Sequence, residues 1–497
     1  MRALSPRAAG TTITTLARAG LLRPPRPDHA LGMGLALAYW GISPAGGYAM
    51  HAIRDGARAA VVDPEGTLTY ADVDALTNAA AHALAARGVR AGQPVGVACG
   101  NTRAFVLAVV ALGKVGATAV MLNPGLSDAL RDDIAVSEGL VDVLDDDAVR
   151  ALAAHPDTSR PKPPPQAGRY VILTSGTTGR PKGAPRSAPT TLDPVVALLA
   201  RIPLRGGETT VIASPLFHAW GFAQWLIALA LGSTVVLDGP FDAERALAAV
   251  ERHRATALVA VPVMLRRMLA VERAYDTSSL RVVAVSGSAL PPDVAHAFMD
   301  RFGDVVYDLY GSTEVAWASI ATPADLREAP GTVGRPAFGT EVVLVDERDG
   351  TGRIFVGNPL TIEAYTSGES KETRDGLMAT GDLGRFDGQG RLYVVGREDD
   401  MIVSGGENVF PAPVEDVLSA LPGVADVAVV GVPDEEFGQR LRAVVVRADG
   451  ALTEDDVKAA VRDRLARHYV PREVTFVDAL PRNPAGKVLK RELAQEP

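Results

Sequence analysis

The stretch Thr174-Ser-Gly-Thr-Thr-Gly-Arg-Pro-Lys-Gly183 decides the fold of this chain. It directly follows the apolar run Val171-Ile-Leu173, so glycines and hydroxyl side chains come at the end of a predicted strand. Such a loop offers backbone N–H groups and Ser/Thr hydroxyls to phosphate oxygens. A Walker A loop requires Gly-Lys-Ser/Thr in succession, whereas here Pro181 precedes Lys182 and Gly183 follows it. The pattern therefore predicts a phosphate-binding loop outside the ordinary P-loop class.

Around this loop, short apolar strands alternate with helical stretches from about residue 57 to residue 322. Ala60–Asp63 is one such strand, and Thr69 starts a predicted helix that ends near Ala86. Alternation of this kind predicts parallel sheets with crossover helices, so the fold class is α/β. From Gly331 to about Val395, short strands separated by Gly and Asp turns predict a small β-barrel or sheet.

The last hundred residues predict a small α+β domain, with one helix running from a Thr453 cap to about His468. We therefore expect an N-terminal domain over residues 1–397 and a C-terminal domain over residues 398–497. The N-terminal domain divides into subdomains at about 50–169, 170–330 and 331–395.

Composition excludes several classes of protein. The chain has 497 residues, a net charge of −9 and 22% charged residues, which is globular usage and argues against a protein that coats nucleic acid. A single cysteine, Cys99, excludes a disulfide scaffold, and no Cys/His spacing is typical of a zinc site. We expect a cytoplasmic protein.

Three segments bear on membranes and targeting. Trp220–Leu237 carries no charge, but Gly232-Ser233 divides it, so it predicts a buried helix and a strand rather than a membrane span. The first 27 residues hold five arginines and no acid, and we expect them to form an irregular or peripheral arm. Leu31–Ile42 is an apolar patch too short to cross a bilayer, although it could touch a membrane surface.

Three further motifs follow the phosphate loop in order. They are Tyr310-Gly-Ser-Thr-Glu314, then Thr380-Gly-Asp-Leu-Gly384 continuing into Gly396–Ile402 and Ser404–Asn408, and finally Pro481-Arg-Asn-Pro-Ala-Gly-Lys487. With them, the chain resembles the adenylate-forming superfamily of acyl-CoA synthetases, adenylation domains and firefly luciferase, over roughly residues 50–495. In this family an N-terminal AMP-binding domain carries a small mobile C-terminal lid.

The resemblance implies an ATP site. The residues matched to the grip on the leaving phosphates are Thr174, Ser175, Gly176, Thr177, Thr178, Gly179 and Lys182. Those matched to the border of the nucleotide are Gly287, Ser288, Ala289, Tyr310, Gly311 and Ser312, with Tyr310 on the adenine. Asp382 is matched to the ribose hydroxyls, which suits a carboxylate acceptor, and Arg397 to the ribose or phosphates.

The resemblance also implies the catalytic residues. Glu314 matches the Mg²⁺ ligand, and Thr313 is expected to donate to the α-phosphate. Lys487 is expected to bridge the attacking carboxylate and the α-phosphate, stabilising charge where it moves. Asp399 matches the hinge about which the lid rotates between acyl-adenylate formation and thiol attack by CoA.

The acid is the least determined part of this prediction. Pro215–Gly221 resembles the family's substrate-channel motif, and His218 stands where amino-acid-activating relatives carry an aspartate, which disfavours an α-amino acid. His218 is expected to line or gate the channel. Trp220, Phe222 and Trp225 predict an apolar wall suited to a fatty or aryl acid.

The first prediction is therefore an ATP-, Mg²⁺- and CoA-dependent ligase for an apolar, preferentially fatty, acid. The alternative is a stand-alone adenylating enzyme that passes the acyl group to an acyl carrier protein or an amine, or that activates an aryl or unusual oxyacid. A nucleotide-binding pseudoenzyme is a third class, and intact Glu314, Asp382 and Lys487 argue against it.

Overall fold

The computed structural model describes residues 6–22, 26–174, 182–186, 193–404, 407–434, 438–448, 450–483 and 486–495. Up to the phosphate loop the elements are α1 (Pro6–Arg18), α2 (Pro27–Trp40), α3 (Pro44–Asp55), β1 (Ala59–Asp63), β2 (Gly66–Thr69), α4 (Tyr70–Ala86), β3 (Pro94–Val97), α5 (Arg103–Val115), β4 (Thr118–Met121), α6 (Asp128–Ser137), β5 (Val143–Leu144), α7 (Asp146–Ala153) and β6 (Arg169–Thr174).

After the phosphate loop come β7 (Lys182–Arg186), α8 (Asp193–Leu199), β8 (Thr209–Ile212), α9 (Ala219–Ala230), β9 (Thr234–Val236), α10 (Ala243–His253), β10 (Ala257–Ala260), α11 (Pro262–Leu269), β11 (Val282–Val285), α12 (Pro292–Phe302), β12 (Val306–Tyr310), β13 (Ser319–Ala321), α13 (Pro323–Glu328) and β14 (Arg335–Pro336).

The remaining elements are β15 (Glu341–Arg348), β16 (Thr351–Gly357), β17 (Thr373–Arg374), β18 (Leu377–Phe386), β19 (Leu392–Arg397), a 3₁₀ turn (Glu398–Asp400), β20 (Ile402–Ser404), β21 (Glu407–Val409), α14 (Pro411–Ser419), β22 (Val424–Asp434), β23 (Gly438–Arg447), α15 (Glu454–Arg464), a second 3₁₀ turn (Arg467–Tyr469), β24 (Glu473–Val477) and α16 (Lys490–Gln495).

Two sheets with parallel centres form the bulk of the protein. The larger has nine strands in the order β14-β13-β12-β11-β10-β8-β9-β1-β2, and β1, β9, β8, β10, β11 and β12 run parallel in it. The other has the order β5-β3-β4-β6-β7. Because parallel strands end at the same edge, the loops after β8, β10, β11 and β12 gather at one side. The predicted α/β class is confirmed.

Two smaller sheets complete the chain. Residues 341–397 form an antiparallel sheet of five strands, β15-β16-β18-β17 with β19 on β18, where the sequence predicts a small β-barrel or sheet. Beyond Arg397, β21-β20-β23-β22 and the parallel strand β24 form the sheet of a separate C-terminal domain, against which α14 and α15 pack.

Two predicted elements differ from the structure. The helix capped by Thr453 has the expected capping box with Asp456, but it ends at Arg464 instead of near His468. Leu465 is extended there, and a 3₁₀ turn over Arg467–Tyr469 takes the place of the expected last helical turn. Within the N-terminal arm, which was expected to be irregular or peripheral, Pro6–Arg18 form a regular helix, α1. Its end is anchored by the Gly206 N–H, which donates to the Ala19 carbonyl at 2.7 Å.

Between Trp220 and Leu237 the chain forms α9, a left-handed glycine at Gly232 and then β9, as predicted. Within the described ranges, every helix is too short or too polar to cross a bilayer.

Candidate active site

Tyr310 and Asp382 form the centre of the candidate site. Tyr310 is the last residue of β12, at the edge of the large sheet where the loops after β8, β10, β11 and β12 lie. Asp382 lies in β18 of the antiparallel sheet. The Tyr310 phenol donates to Asp382 Oδ2 at 2.6 Å, and Arg397 Nη1 lies 3.6 Å from Asp382 Oδ1. Burial raises the pKa of Asp382, although the Tyr310 hydrogen bond and the Arg397 charge favour its ionised form. The two motifs therefore converge on one carboxylate.

Backbone geometry fixes this convergence. Gly311 follows Tyr310 so tightly that a Cβ on it would lie 2.2 Å from the Ala316 carbonyl oxygen. No other residue fits there without moving the backbone. Asp382 N–H donates to Thr380 Oγ1 at 3.1 Å, and the Thr380 hydroxyl in turn donates to the Ile354 carbonyl at 3.1 Å. The turn that carries Asp382 is thus tied to the neighbouring strand.

Glu314 lies in a second cluster beside the first. Its Oε1 accepts a hydrogen bond from the Tyr365 phenol and lies 3.3 Å from Lys371 Nζ. Burial alone would raise the pKa of this carboxyl, but Lys371 and Tyr365 outweigh it, so the pKa of Glu314 is lowered. Glu314 is therefore a buried carboxylate held in its ionised form. The Ser312 hydroxyl accepts the Glu314 N–H at 3.2 Å, and Thr313 is half-buried between them.

Lys182 connects the phosphate loop to this cluster. β6 and β7 pair so that Thr174 faces Lys182, and Lys182 Nζ lies 5.7 Å from the Tyr365 ring centre and bonds to Glu369. The Thr366 N–H donates to the Gly183 carbonyl at 2.8 Å. Ser175, Gly176, Thr177, Thr178 and Gly179, together with the Thr174 side chain, lie outside the described residues.

Lys487 enters from the C-terminal domain. Its N–H donates to Asn483 Oδ1 at 2.9 Å, and the Asn483 N–H donates to the Lys487 carbonyl at 2.9 Å, so the loop closes on itself. Burial lowers the pKa of Lys487, the nearby Arg397 charge lowers it further, and Asp400 and Asp382 oppose them. The charge of the Lys487 ammonium therefore interacts with the charges of Asp382 and Arg397.

Contacts between the two domains hold Lys487 in this position. Arg266 of α11 lies 3.5 Å from Asp426 and also bonds to the Ala425 carbonyl, while Arg482 bonds to Asp426 at 2.6 Å. Gly486 lies so close to α11 that a Cβ on it would sit 2.8 Å from the Val263 side chain. Asp426 therefore connects Arg266 of the N-terminal domain to the loop that carries Lys487.

The predicted hinge follows directly from this cluster. Arg397 ends β19, and Glu398–Asp400 form a 3₁₀ turn before β20 begins the C-terminal domain. The Asp399 side chain and residues 405–406 of the following loop lie outside what the structure describes. The hinge role of Asp399 stays a prediction.

The segment Ser214–Gln224 carries three buried polar atoms that find no hydrogen-bond partner among the described residues: Ser214 Oγ, His218 Nε2 and Gln224 Nε2. Ser214 is 1% exposed and Gln224 is 2% exposed. Burial lowers the pKa of His218 to about 4, so the imidazole is neutral at pH 7. Unpaired buried polar atoms are rare in proteins, so a concentration of them in one segment indicates a place where a polar group or water binds.

The aromatic wall predicted around His218 divides into two parts. The Trp220 indole donates to the Ala260 carbonyl at 3.0 Å, at the gathered strand edge. Trp225 instead donates to the Tyr48 phenol at 3.0 Å and packs on Phe105 and Phe222. Trp225 and Phe222 are therefore core residues, because three helices converge on them, and Trp220 alone of these rings lies at the strand edge.

The turn after β11 lies at the same edge. Gly287 has a left-handed backbone with φ of 99°, which glycine adopts without strain, and a Cβ on it would contact Val261. Gly287 and Ala289 are exposed and Ser288 is half-buried.

Sequence reasoning missed Tyr365 and Lys371. Both lie in a polar loop without a periodic pattern, and they contact Glu314 only because that loop folds back: the Ile362 N–H donates to the Glu314 carbonyl at 2.9 Å. Lysine is scarce in this chain, with seven among 50 basic residues. The presence of a lysine at position 371 was therefore the one feature of the sequence that could have indicated a functional role.

Two protein-family models match most of this chain. The AMP-binding enzyme model matches residues 49–137 and 131–366, and the AMP-binding enzyme C-terminal domain model matches residues 413–487. The chain is 36% identical to a feruloyl-CoA synthase of Amycolatopsis sp, covering 86% of this chain and 93% of that protein. It is 34% identical to an indoleacetate–CoA ligase of Aromatoleum aromaticum, covering 90% and 96%.

A solved structure of an acyl-CoA synthetase also superposes on most of this chain. The o-succinylbenzoate CoA synthetase of Bacillus subtilis, in complex with its acyl-adenylate intermediate, superposes with a TM-score of 0.81 and 29% identity, covering 91% of this chain and 98% of that one. The chain is therefore a member of the AMP-binding enzyme family, within the adenylate-forming acyl-CoA ligases.

Proposed function

We propose that this enzyme activates an apolar carboxylic acid with ATP and transfers the acyl group to CoA, and that aryl acids are its preferred substrates. The observation that supports the chemistry is the position of Lys487, a residue of the C-terminal domain that lies close enough to Asp382 and Arg397 of the candidate nucleotide site for their charges to interact. A C-terminal domain that placed no residue near this site would have no such interaction.

The proposed reaction has two steps. In the first, an oxygen of the carboxylate attacks the α-phosphorus of ATP, the bond to the β-phosphate bridge breaks, and pyrophosphate leaves. Two anions must meet, so their charge has to be cancelled. Lys487 and Arg397 at Asp382, Lys371 at Glu314 and Lys182 at Glu369 are the cations that would do this. In the second step the CoA sulfur attacks the acyl carbon, and AMP leaves with the oxygen that came from the acid.

Glu314 suits a Mg²⁺ ion that arrives with ATP. No group of three or more His, Cys, Asp or Glu is arranged for a metal ion within the described ranges, so the residues there do not form an all-protein cage. Mg²⁺ typically takes one or two carboxylates together with substrate phosphates, which fits a single buried, ionised glutamate. Glu314 would hold the ion, and the ion would neutralise charge on the phosphates.

The preference for aryl acids rests on the segment Ser214–Gln224. We infer that the acid lies against this segment. A saturated fatty chain there would leave Ser214 Oγ and Gln224 Nε2 without a partner, and each unpaired buried group costs about 1–3 kcal/mol. An aryl acid with a ring hydroxyl, methoxy or carbonyl group supplies a partner. Ferulate and indoleacetate, named for two relatives, are aryl acids and support this preference. The fatty acid expected from the sequence is the alternative.

A carboxylate panel tests the proposal. Pyrophosphate release is measured with ferulate, cinnamate, indoleacetate, octanoate and phenylalanine, each with and without CoA. We expect release with aryl acids above octanoate, none with phenylalanine, and multiple turnovers with CoA. If octanoate is the best substrate, only the preference for aryl acids is contradicted. If pyrophosphate release has the same rate with and without CoA, CoA is not the acyl acceptor.

A further inference from the structure

Helix α2 is apolar on every side, yet only one of its faces is packed. Residues 30–42 contain no charged side chain. Gly32, Ala36 and Trp40 recur every four residues and face the body of the protein: Ala36 and Trp40 are buried, and a Cβ on Gly32 would lie 3.3 Å from Ile53 of α3. A helix of this composition is normally buried all round, so the other face requires an explanation.

The opposite face is an exposed apolar stripe. Leu31, Leu35 and Ala38 lie on the side of α2 away from Ala36 and Trp40, and Ile42 follows just beyond the end of the helix. These four residues are here called the outer stripe. Leu31 is 74% exposed, Leu35 45% and Ile42 40%. Leu37 and Tyr39 flank the stripe at 36% and 38% exposure. Contiguous apolar surface of this kind marks a contact with a partner or a membrane.

Cations lie at both ends of the outer stripe. Arg26 precedes the helix, and its side chain is 75% exposed. At the other end, the exposed Arg160 guanidinium stacks over the rings of Tyr39 and Trp40, at 5.7 Å and 5.8 Å from their centres. Asp28 is the single acid of α2, and it is already paired with Arg26.

We propose that the outer stripe docks on an anionic membrane surface. Leucine and isoleucine side chains would enter the headgroup–acyl boundary, with Tyr39 at the interface and Arg160 against lipid phosphates. The charge pattern selects this occupant, because Arg26 and Arg160 bracket the uncharged stretch 30–42 and so match an anionic bilayer, whereas a second copy would bring the same positive charges together. This inference concerns peripheral contact and is independent of which acid is activated.

Vesicle cosedimentation tests the proposal with the full chain. The wild type is compared with the Leu31→Gln/Leu35→Gln double variant on phosphatidylcholine vesicles with and without phosphatidylglycerol. Val136→Gln is the matched control, because Val136 is 83% exposed on α6, away from the stripe. We expect binding to the anionic vesicles, and each leucine withdrawn should weaken it about tenfold. The control should bind like the wild type, and added salt should weaken all binding.

Three results would overturn the proposal. The first is that the wild type fails to bind anionic vesicles, and the second is that the double variant binds them as well as the wild type does. The third is that light scattering shows a dimer for the wild type and a monomer for the double variant. The last result would assign the stripe to a second copy. Pyrophosphate release measured without vesicles should be the same in all three proteins, so loss of docking is distinguishable from loss of the proposed activity.

Discussion

The Tyr310 phenol and the Asp382 carboxylate, 72 residues apart in sequence, are joined by a hydrogen bond of 2.6 Å. This bond closes the large parallel sheet onto the antiparallel sheet at the edge where the strands of the large sheet end. It leaves Asp382 Oδ1 facing Arg397, which lies 3.6 Å away. The candidate nucleotide site is therefore built where two subdomains meet.

Asp382→Asn tests the ribose role of this carboxylate. The substitution preserves size but removes the charge, and hydrogen bonds to charged groups contribute about 1.5–3 kcal/mol. We expect the KM for ATP to rise roughly ten- to a hundredfold in pyrophosphate-release assays, with little change in the KM for the acid. Tyr310→Phe removes only the phenol contact and should have the smaller effect. A lower melting temperature with an unchanged KM for ATP would instead indicate a structural role.

Lys487→Ala tests the bridging ammonium. Removing one donor aimed at developing charge typically costs roughly 10²–10³ in rate, so acyl-adenylate formation should fall by that factor. Thioester formation from supplied acyl-adenylate should persist. Lys490→Ala is the control, because Lys490 bonds to Glu415 at 2.8 Å within the C-terminal domain. Equal losses in both half-reactions would show that Lys487 acts in folding or CoA binding.

Gln224→Leu tests the substrate class. The amide is buried and its Nε2 finds no partner among the described residues, so an apolar side chain of similar size should not destabilise the fold. The ratio of kcat/KM for ferulate to that for cinnamate should fall roughly tenfold, since ferulate alone carries ring oxygens. The melting temperature reports the fold. An unchanged ratio would remove Gln224 from substrate recognition.

Asp308→Asn tests a buried acid in β12. Burial raises the pKa of Asp308 to about 7, above its ordinary value of 3.8. The native state therefore binds its proton more tightly than the unfolded state. Its stabilising contribution is present below pH 4 and is lost as pH rises towards 7, at about 1.4 kcal/mol per unit. The asparagine variant, which cannot ionise, should gain melting temperature over the wild type between about pH 5 and pH 8. A constant difference would contradict the raised pKa.

Local patterns in the sequence predicted much of the fold. Thr69 and Asp72 form a capping box that starts α4 where the sequence predicts a helix, because capping depends on residues three apart. The predicted end near Ala86 is confirmed as well. The helix and strand predicted within Trp220–Leu237 are confirmed, because the left-handed Gly232 separates them. The predicted extent of α15 was wrong, because Leu465 is extended and a 3₁₀ turn over Arg467–Tyr469 follows it.

The site was harder to predict than the fold. Motifs with fixed spacing led to Tyr310, Glu314 and Asp382, but no local pattern indicates that Tyr365 and Lys371 contact Glu314. Those contacts depend on how one loop returns to the large sheet. Likewise, the aromatic residues of α9 look equivalent in sequence, and only packing against Tyr48 and Phe105 separates Trp225 from Trp220.

The most direct test of the account follows an isotope through the reaction. The acid is labelled with ¹⁸O in its carboxylate and incubated with enzyme, ATP, Mg²⁺ and CoA, and the AMP is analysed by mass spectrometry. If the carboxylate attacks the α-phosphorus, each AMP carries one ¹⁸O and is heavier by about 2 Da. Unlabelled AMP, or ADP together with labelled inorganic phosphate, would contradict the acyl-adenylate.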